Sequence, residues 1–374
     1  MNSVFPSYAF KIEFFDEMAE LVRPYILVYH TEKGEIELFD VRNRRPFLKR
    51  TENHSLERKD FFLGNKILIN GRQYEIIDYA DEPTRQAFEV NMQHTYAMIK
   101  PGFHHLMGEA IDRIYQEGLM LTNLRMGLIS RETAMKFYAE HQGKPFFESL
   151  VQYITSGPVV AMELVGNSAI TRWRQLIGPT NLDQAKRESP RSLRALYARS
   201  TTENFAHGSD SPDSAMRELG IIFGQHGVQL ISTTEGCTCC VIRPHALKEG
   251  NAGKIIRDIV ANKFEITGAM IANLDLSTAG EFLEVYRNVV PDYPDMKQQL
   301  ASGPCLALEL KKNDAVNAFR QLCGPRDSKV AKQIRPNSLR AKYGIDVVFN
   351  AVHCTDLQED AELETEYFFT LLDN

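Results

Sequence analysis

Residues 156–164 read SGPVVAMEL, and residues 302–310 read SGPCLALEL. An apolar run this unbroken suits a central strand, covered on one face and largely protected on the other. The offset between the two runs is 146 residues, and it recurs along the chain. RWRQLIGP matches AFRQLCGP, with Arg174 opposite Arg320, and SLRALY matches SLRAKY, with Arg194 opposite Arg340. NFAHGSD at 204–210 matches NAVHCTD at 350–356, with His207 opposite His353. Upstream, YAMIKP ending at Pro101 answers CCVIRP ending at Pro244 at an offset of 143, so three extra residues fall in the first half of the second copy. A period this long marks a duplicated domain, not a solenoid.

Each copy repeats one order of elements. A short apolar strand ends at Lys100-Pro101 or Arg243-Pro244. An amphipathic helix follows, with Ile111, Ile114 and Tyr115 on one face in the first copy and Ile256, Ile259 and Val260 in the second. Then come a strand, helices, the central strand, more helix and a final strand carrying the histidine. This β-α-β-β-α-β order predicts an α+β fold of two tandem ferredoxin-like sandwiches. The copies are expected at about 92–223 and 237–374, with GQHGVQLISTTEG between them as a linker. Residues 1–88 lie outside the repeat. GEIELFDV alternates, and KILINGRQYEII flanks Asn70-Gly71, a hairpin signal because both residues tolerate positive φ. A small β-rich domain is expected there, with ADEPTRQ as a second linker.

A chain of 374 residues suits two to three domains. Its composition, 43% hydrophobic and 25% charged, is that of a globular protein. The net charge of −6 argues against nucleic-acid binding through a basic surface. No apolar run reaches the roughly 20 residues of a membrane span. The N-terminal stretch carries Lys11, Glu13, Asp16 and Glu17 where a signal peptide would be apolar, so retention in the cytoplasm is expected. CTCC at 237–240 lacks the second ligand pair of a zinc site and is expected to be a buried strand with Cys as a small hydrophobe.

His207 precedes Ser211-Pro212, a helix start with Ser as N-cap and Pro at the first helical position. The free N–H groups of a helix N-terminus favour an anion. A neutral imidazole there suits nucleophilic attack on phosphorus. The cations Lys100, Arg174 and Arg194 recur as Arg243, Arg320 and Arg340. Arg clamps phosphate oxygens with parallel hydrogen bonds, and phosphoryl transfer depends on in-line placement and charge neutralisation.

MIKP, YAEHQGKPFF, SGPVVAME, RQLIGPTN, SLRALY and NFAHGSDS together resemble the nucleoside diphosphate kinase family, over about 130 residues of the first copy. The resemblance implies transfer of the γ-phosphate of an NTP such as ATP to an NDP through a phosphohistidine, with Mg²⁺ held by the nucleotide phosphates and not by protein ligands. It implies His207 as the nucleophile, Glu218 as the residue that orients it and Lys100 as a catalytic cation. Lys100, Tyr138, Arg174, Thr180, Arg194 and Asn204 would surround the phosphates and sugar, and Phe146 and Leu150 the base. The first copy departs from the pattern in three extra residues between Thr180 and Arg194, and in Thr201 at a usually apolar position. The second copy keeps His353, Glu364, Asn350, Arg320 and Arg340. It has Arg243 for the lysine, no secure counterpart of the stacking Phe, Arg326 opposite Thr180 and Cys354 for the glycine. A degenerate second site is expected.

A small β domain before two such kinase domains resembles an axonemal and centrosomal subfamily, whose N-terminal module is the DM-ten domain. That likeness implies tubulin, axonemal doublet microtubules and the γ-tubulin ring complex as partners, and a place in the cytoskeleton, the cilium axoneme and the centrosome. Two readings stand: an enzyme acting through His207, and a scaffold with residual or no turnover.

Overall fold

The computed structural model describes residues 7–16, 18–89, 92–233 and 235–372. They form two compact units, an N-terminal one reaching to Met92 and a larger one from Gln93 that holds both repeats.

The N-terminal unit is one antiparallel sheet. Its strands are β1 (Ser7–Asp16), β2 (Leu21–His30), β3 (Glu35–Asp40), β4 (Arg45–Glu52), β5 (Lys66–Ile69) and β6 (Arg72–Tyr79), in the order β4-β3-β2-β1-β6-β5. Alternation buries Tyr8, Phe10 and Ile12 of β1 beneath Phe61 and Phe88. The β5–β6 turn is Asn70-Gly71, at φ of 49° and 76°. ADEPTRQ, expected as a linker, is largely helix: Glu82–Phe88 follows Asp81, whose side chain accepts from the Thr84 amide. The helix forms because it buries Phe88 and Thr84, whose hydroxyl accepts from the Ala9 amide at 2.9 Å. The cap and the proline in its first turn are ordinary helix-start chemistry.

In the larger unit the first repeat contributes β7 (Gln93–Ile99), β8 (Met120–Ile129), β9 (Val159–Gly166), β10 (Ala206–Gly208) and β11 (Val228–Leu230). The second contributes β12 (Cys237–Ile242), β13 (Glu265–Ala272), β14 (Cys305–Lys311) and β15 (Val352–Cys354). The sheet order is β10-β7-β9-β8-β13-β14-β12-β15, so each repeat has the 4-1-3-2 strand order of a ferredoxin-like sandwich and the two orders are mirrored about β8–β13. β9, which carries the apolar run VVAMELVG, is central and almost wholly buried. β12 is buried throughout, so Cys237, Cys239 and Cys240 are core residues.

The two repeats thus share one continuous sheet. β8 and β13 meet antiparallel, with Arg125 opposite Met270. Beside them the helices Met107–Gln116 and Ala252–Ala261 pack almost backbone to backbone. A Cβ on Gly253 would lie 2.2 Å from the Asp112 amide nitrogen, and one on Gly108 2.7 Å from Ile256. Arg257 donates to the buried Asp112 carboxylate at 2.8 Å across this seam. Ile111, Ile114, Ile256 and Ile259 are fully buried, and Tyr115 and Val260 partly so.

GQHGVQLISTTEG is not simply a linker. Its Val228–Leu230 pairs antiparallel with β8, and Gly127 faces Gln229 so closely that a Cβ would lie 2.0 Å from the Gln229 carbonyl. A strand that borrows its hydrogen bonds from an existing edge needs little periodicity of its own, which is why the sequence pattern hides it.

Candidate active site

His207 lies on β10, paired with Met98 of β7. Two residues before it, Phe205 has φ of 77°, and Ala351 repeats this before His353 at 69°. A non-glycine residue in the left-handed region costs about 1–3 kcal/mol, so the surrounding structure must hold it. The Lys100 amide donates to the Phe205 carbonyl at 2.8 Å, and the Arg243 amide to the Ala351 carbonyl at 2.9 Å. On the other side of the strand, Trp173 Nε1–H donates to the His207 carbonyl at 2.9 Å. Gly208 is needed there, because a Cβ would lie 2.5 Å from the Trp173 ring.

Glu218 comes from the helix Pro212–Ile222, capped as expected by Ser211, whose hydroxyl accepts from the Ser214 amide. His207 Nε2 lies 3.0 Å from Glu218 Oε2, and the Ser209 hydroxyl donates to the same oxygen at 2.7 Å. An ionised carboxylate only accepts, so Nε2 carries the proton and Nδ1 keeps its lone pair. Nδ1 has no hydrogen bond among the described residues. Phe137, Tyr96 and Tyr138 surround the imidazole, with ring centroids 5.1, 5.8 and 6.4 Å away.

The predicted cations lie within electrostatic reach of one another, and Arg194 holds the backbone beside His207. Arg194 is buried and donates to the carbonyls of Gly178 (2.6 Å) and Ala206 (2.8 Å) and to the Thr180 hydroxyl (3.4 Å). Burial, and then the charge of Arg174, bring its guanidinium down to about 10. Lys100 is buried, donates to the Thr202 carbonyl at 3.4 Å and stands 5.9 Å from the Tyr153 ring centroid. Burial, and then the charge of Arg194, bring it down to about 7. Arg174 is exposed and forms no ion pair or side-chain hydrogen bond among the described residues. The buried Tyr138 hydroxyl and Asn204 Oδ1 also have no partner there.

Phe146, half exposed, and Leu150, half-buried, lie at the start of the helix Phe147–Ile154. His141 joins this wall to the histidine side, near-parallel to Tyr138 at 6.1 Å and edge-on to Phe146 at 5.6 Å. The sequence reading missed His141, Ser209 and Trp173. His141 was visible within the YAEHQGKPFF motif, whereas Ser209 and Trp173 act through contacts that no spacing announces.

The second repeat keeps the dyad and changes its surroundings. His353 Nε2 lies 2.8 Å from Glu364 Oε2, and Thr355 donates to the same oxygen. The His353 side chain is only 5% exposed, against 22% for His207. Tyr286 takes the place of Tyr138, 6.3 Å from the imidazole, displaced two residues from the 146 offset. Its hydroxyl donates to Asp356 at 2.7 Å. Arg320 is turned onto Asp356 as well, and Arg326 onto Asp292. Arg340 donates to the carbonyls of Gly324 and Val352, as Arg194 does in the first repeat. Arg243 donates to Gln299 at 3.1 Å, and Asn350 to the Arg326 carbonyl. Cys354 stands where the first repeat has Gly208, and Phe319 where it has Trp173.

The paired ferredoxin-like sandwiches belong to a class that the family comparison defines. The nucleoside diphosphate kinase family model matches residues 93–228 and 236–373, and the chain belongs to that family. It is 44% identical to nucleoside diphosphate kinase homolog 7 of Rattus norvegicus, over 98% of this chain and 94% of that one. It is 47% identical to the nucleoside diphosphate kinase of Deinococcus radiodurans, over 36% of this chain and 96% of that one. The solved nucleoside diphosphate kinase of Aquifex aeolicus aligns with 37% of this chain and 99% of its own, at 38% identity and a TM-score of 0.35.

Proposed function

We propose that the first repeat moves the γ-phosphate of a nucleoside triphosphate to a nucleoside diphosphate through a phosphohistidine at Nδ1 of His207. One observation carries this reading: Glu218 engages Nε2 and leaves Nδ1 as the free nucleophilic nitrogen. The Nδ1 lone pair attacks the γ-phosphorus, the bond to the β–γ bridging oxygen breaks, and the diphosphate leaves. A terminal oxygen of the second diphosphate then attacks the phosphorus, and the P–N bond breaks. The phosphorylated ring retains its Nε2 proton, and the Glu218 carboxylate balances the charge that develops there. Arg174, Arg194, Lys100 and Thr180 neutralise and align the phosphates. Phe146 and Leu150 give the base an apolar platform that reads no base edge, so the reaction accepts many bases.

Mg²⁺ belongs to the substrate in this scheme. The site presents cations and hydroxyls suited to phosphate. The steady-state test is transfer from ATP to GDP. Ping-pong kinetics are expected, lost in His207→Ala and retained in His353→Ala; retention in His207→Ala overturns the proposal.

The proposal extends to a microtubule setting in the cytoskeleton, the axoneme and the centrosome. Its support is the three-part layout, which the rat homolog shares over almost the whole chain. Doublet microtubules or γ-tubulin complexes should retain the full chain in a pelleting assay; no retention by either removes this part. A purely structural role is favoured by one observation alone, the self-paired second site.

A further inference from the structure

The second repeat carries substitutions at the positions that would hold a nucleotide. Asp292 stands 146 residues after Phe146, Met296 after Leu150 and Arg326 after Thr180. In the folded chain these three meet. Arg326 Nη2 forms an ion pair with Asp292 and lies 3.2 Å from the Met296 sulfur. The contact therefore joins the residue at the phosphate-side position to the two at the base-platform positions. It spans the space between them, where the first repeat has a half-exposed aromatic ring and an exposed threonine. Asp292 is 18% exposed and Arg326 35%, so the pair is half-buried.

Elsewhere in the second site two more polar groups are engaged. Asp356 holds both Arg320 and the Tyr286 hydroxyl. Its counterpart in the first repeat, Asp210, is instead held by the hydroxyls of Ser214 and Ser211, which, with a smaller contribution from the charge of Arg174, keep its carboxyl below the usual range. The Arg320–Asp356 pair is nearly half exposed and easily exchanged for a phosphate. The Arg326–Asp292 pair is not, because separating it would leave both charges half-buried and apart.

We propose that the second repeat is a nucleotide cleft held shut by its own Arg326–Asp292 ion pair, with the His353–Glu364 dyad intact behind it. This rests on reading the first repeat as the nucleotide site. The chain then binds one nucleoside diphosphate, not two. Restoring the first repeat's residues, with Arg326→Thr and Asp292→Phe, opens the second cleft.

The test titrates the full chain with a fluorescent ADP analogue in the presence of Mg²⁺ and counts sites. One site is expected for the wild type and two for the double variant, the second within about ten-fold of the first in affinity. Two sites in the wild type overturn the proposal, as does a single site in a double variant whose thermal unfolding matches the wild type. If the double variant does not fold, Arg326→Thr alone is judged by the same count. If the wild type binds no nucleotide, the reading of the first repeat fails by itself. The closed cleft is then judged on whether the double variant gains one site.

Discussion

His207 Nε2 and Glu218 Oε2 lie 3.0 Å apart, and this contact leaves Nδ1 without a hydrogen bond among the described residues. Glu218 is buried, so its charge acts on the ring at short range. A hydrogen bond to a charged group contributes about 1.5–3 kcal/mol. Glu218→Gln should therefore slow phosphorylation of His207 about 10- to 100-fold. Nucleotide affinity should change little, since Glu218 faces the ring and not the phosphates. Rapid-quench labelling gives the rate and equilibrium titration the affinity; an unchanged rate would remove Glu218 from the mechanism.

Lys100 should set the pH dependence of nucleotide binding. Burial and Arg194 bring it down to about 7, so the empty site holds a charged ammonium below that pH and a neutral amine above it. Phosphate binds the charged form. ADP affinity should be greatest below pH 7 and fall as pH rises through it, by at most about ten-fold per unit. Lys100→Met should bind weakly with a flatter profile. Isothermal titration from pH 6 to 9 checks this, and identical slopes in the two proteins would contradict it.

Phe146 is a large apolar ring left half exposed, which fits a stacking platform. Base–aromatic stacking contributes about 1–3 kcal/mol. Phe146→Ala should raise KM about ten-fold for purine and pyrimidine nucleotides alike, with kcat less affected. Steady-state kinetics with GDP and CDP distinguish this from a base-selective effect.

Gly253 reports on the seam between the repeats. A Cβ there would meet the Asp112 backbone at 2.2 Å, and backbone cannot step aside as a side chain can. Gly253→Val should destabilise the paired repeats by about 1–3 kcal/mol through overpacking. Urea unfolding followed by Trp173 fluorescence measures it, since this tryptophan is wholly buried in the first repeat. Wild-type stability in the variant would mean that the helices part without cost.

Much of this architecture is legible in the sequence because duplication writes it twice. The offset of 146 residues pairs His207 with His353 and Glu218 with Glu364, and the ferredoxin-like order follows from each copy. The Asn70-Gly71 hairpin is legible because its turn needs positive φ at both residues. The helix Glu82–Phe88 is not, because Phe88 finds its partners, Tyr8 and Phe10, far away in the sequence. Tyr286 escapes because the spacing slips by two residues, and only its approach to His353 reveals its role. The Arg326–Asp292 pair escapes for a related reason: 34 residues separate the partners, and neither is unusual until the fold brings them together.

The most direct measurement incubates the full chain with γ-labelled ATP and Mg²⁺ and counts acid-labile, alkali-stable phosphate per chain. Up to one phosphate per chain is expected in the wild type and in His353→Ala, and none in His207→Ala. Equal labelling of wild type and His207→Ala, or no labelling of either, would contradict it.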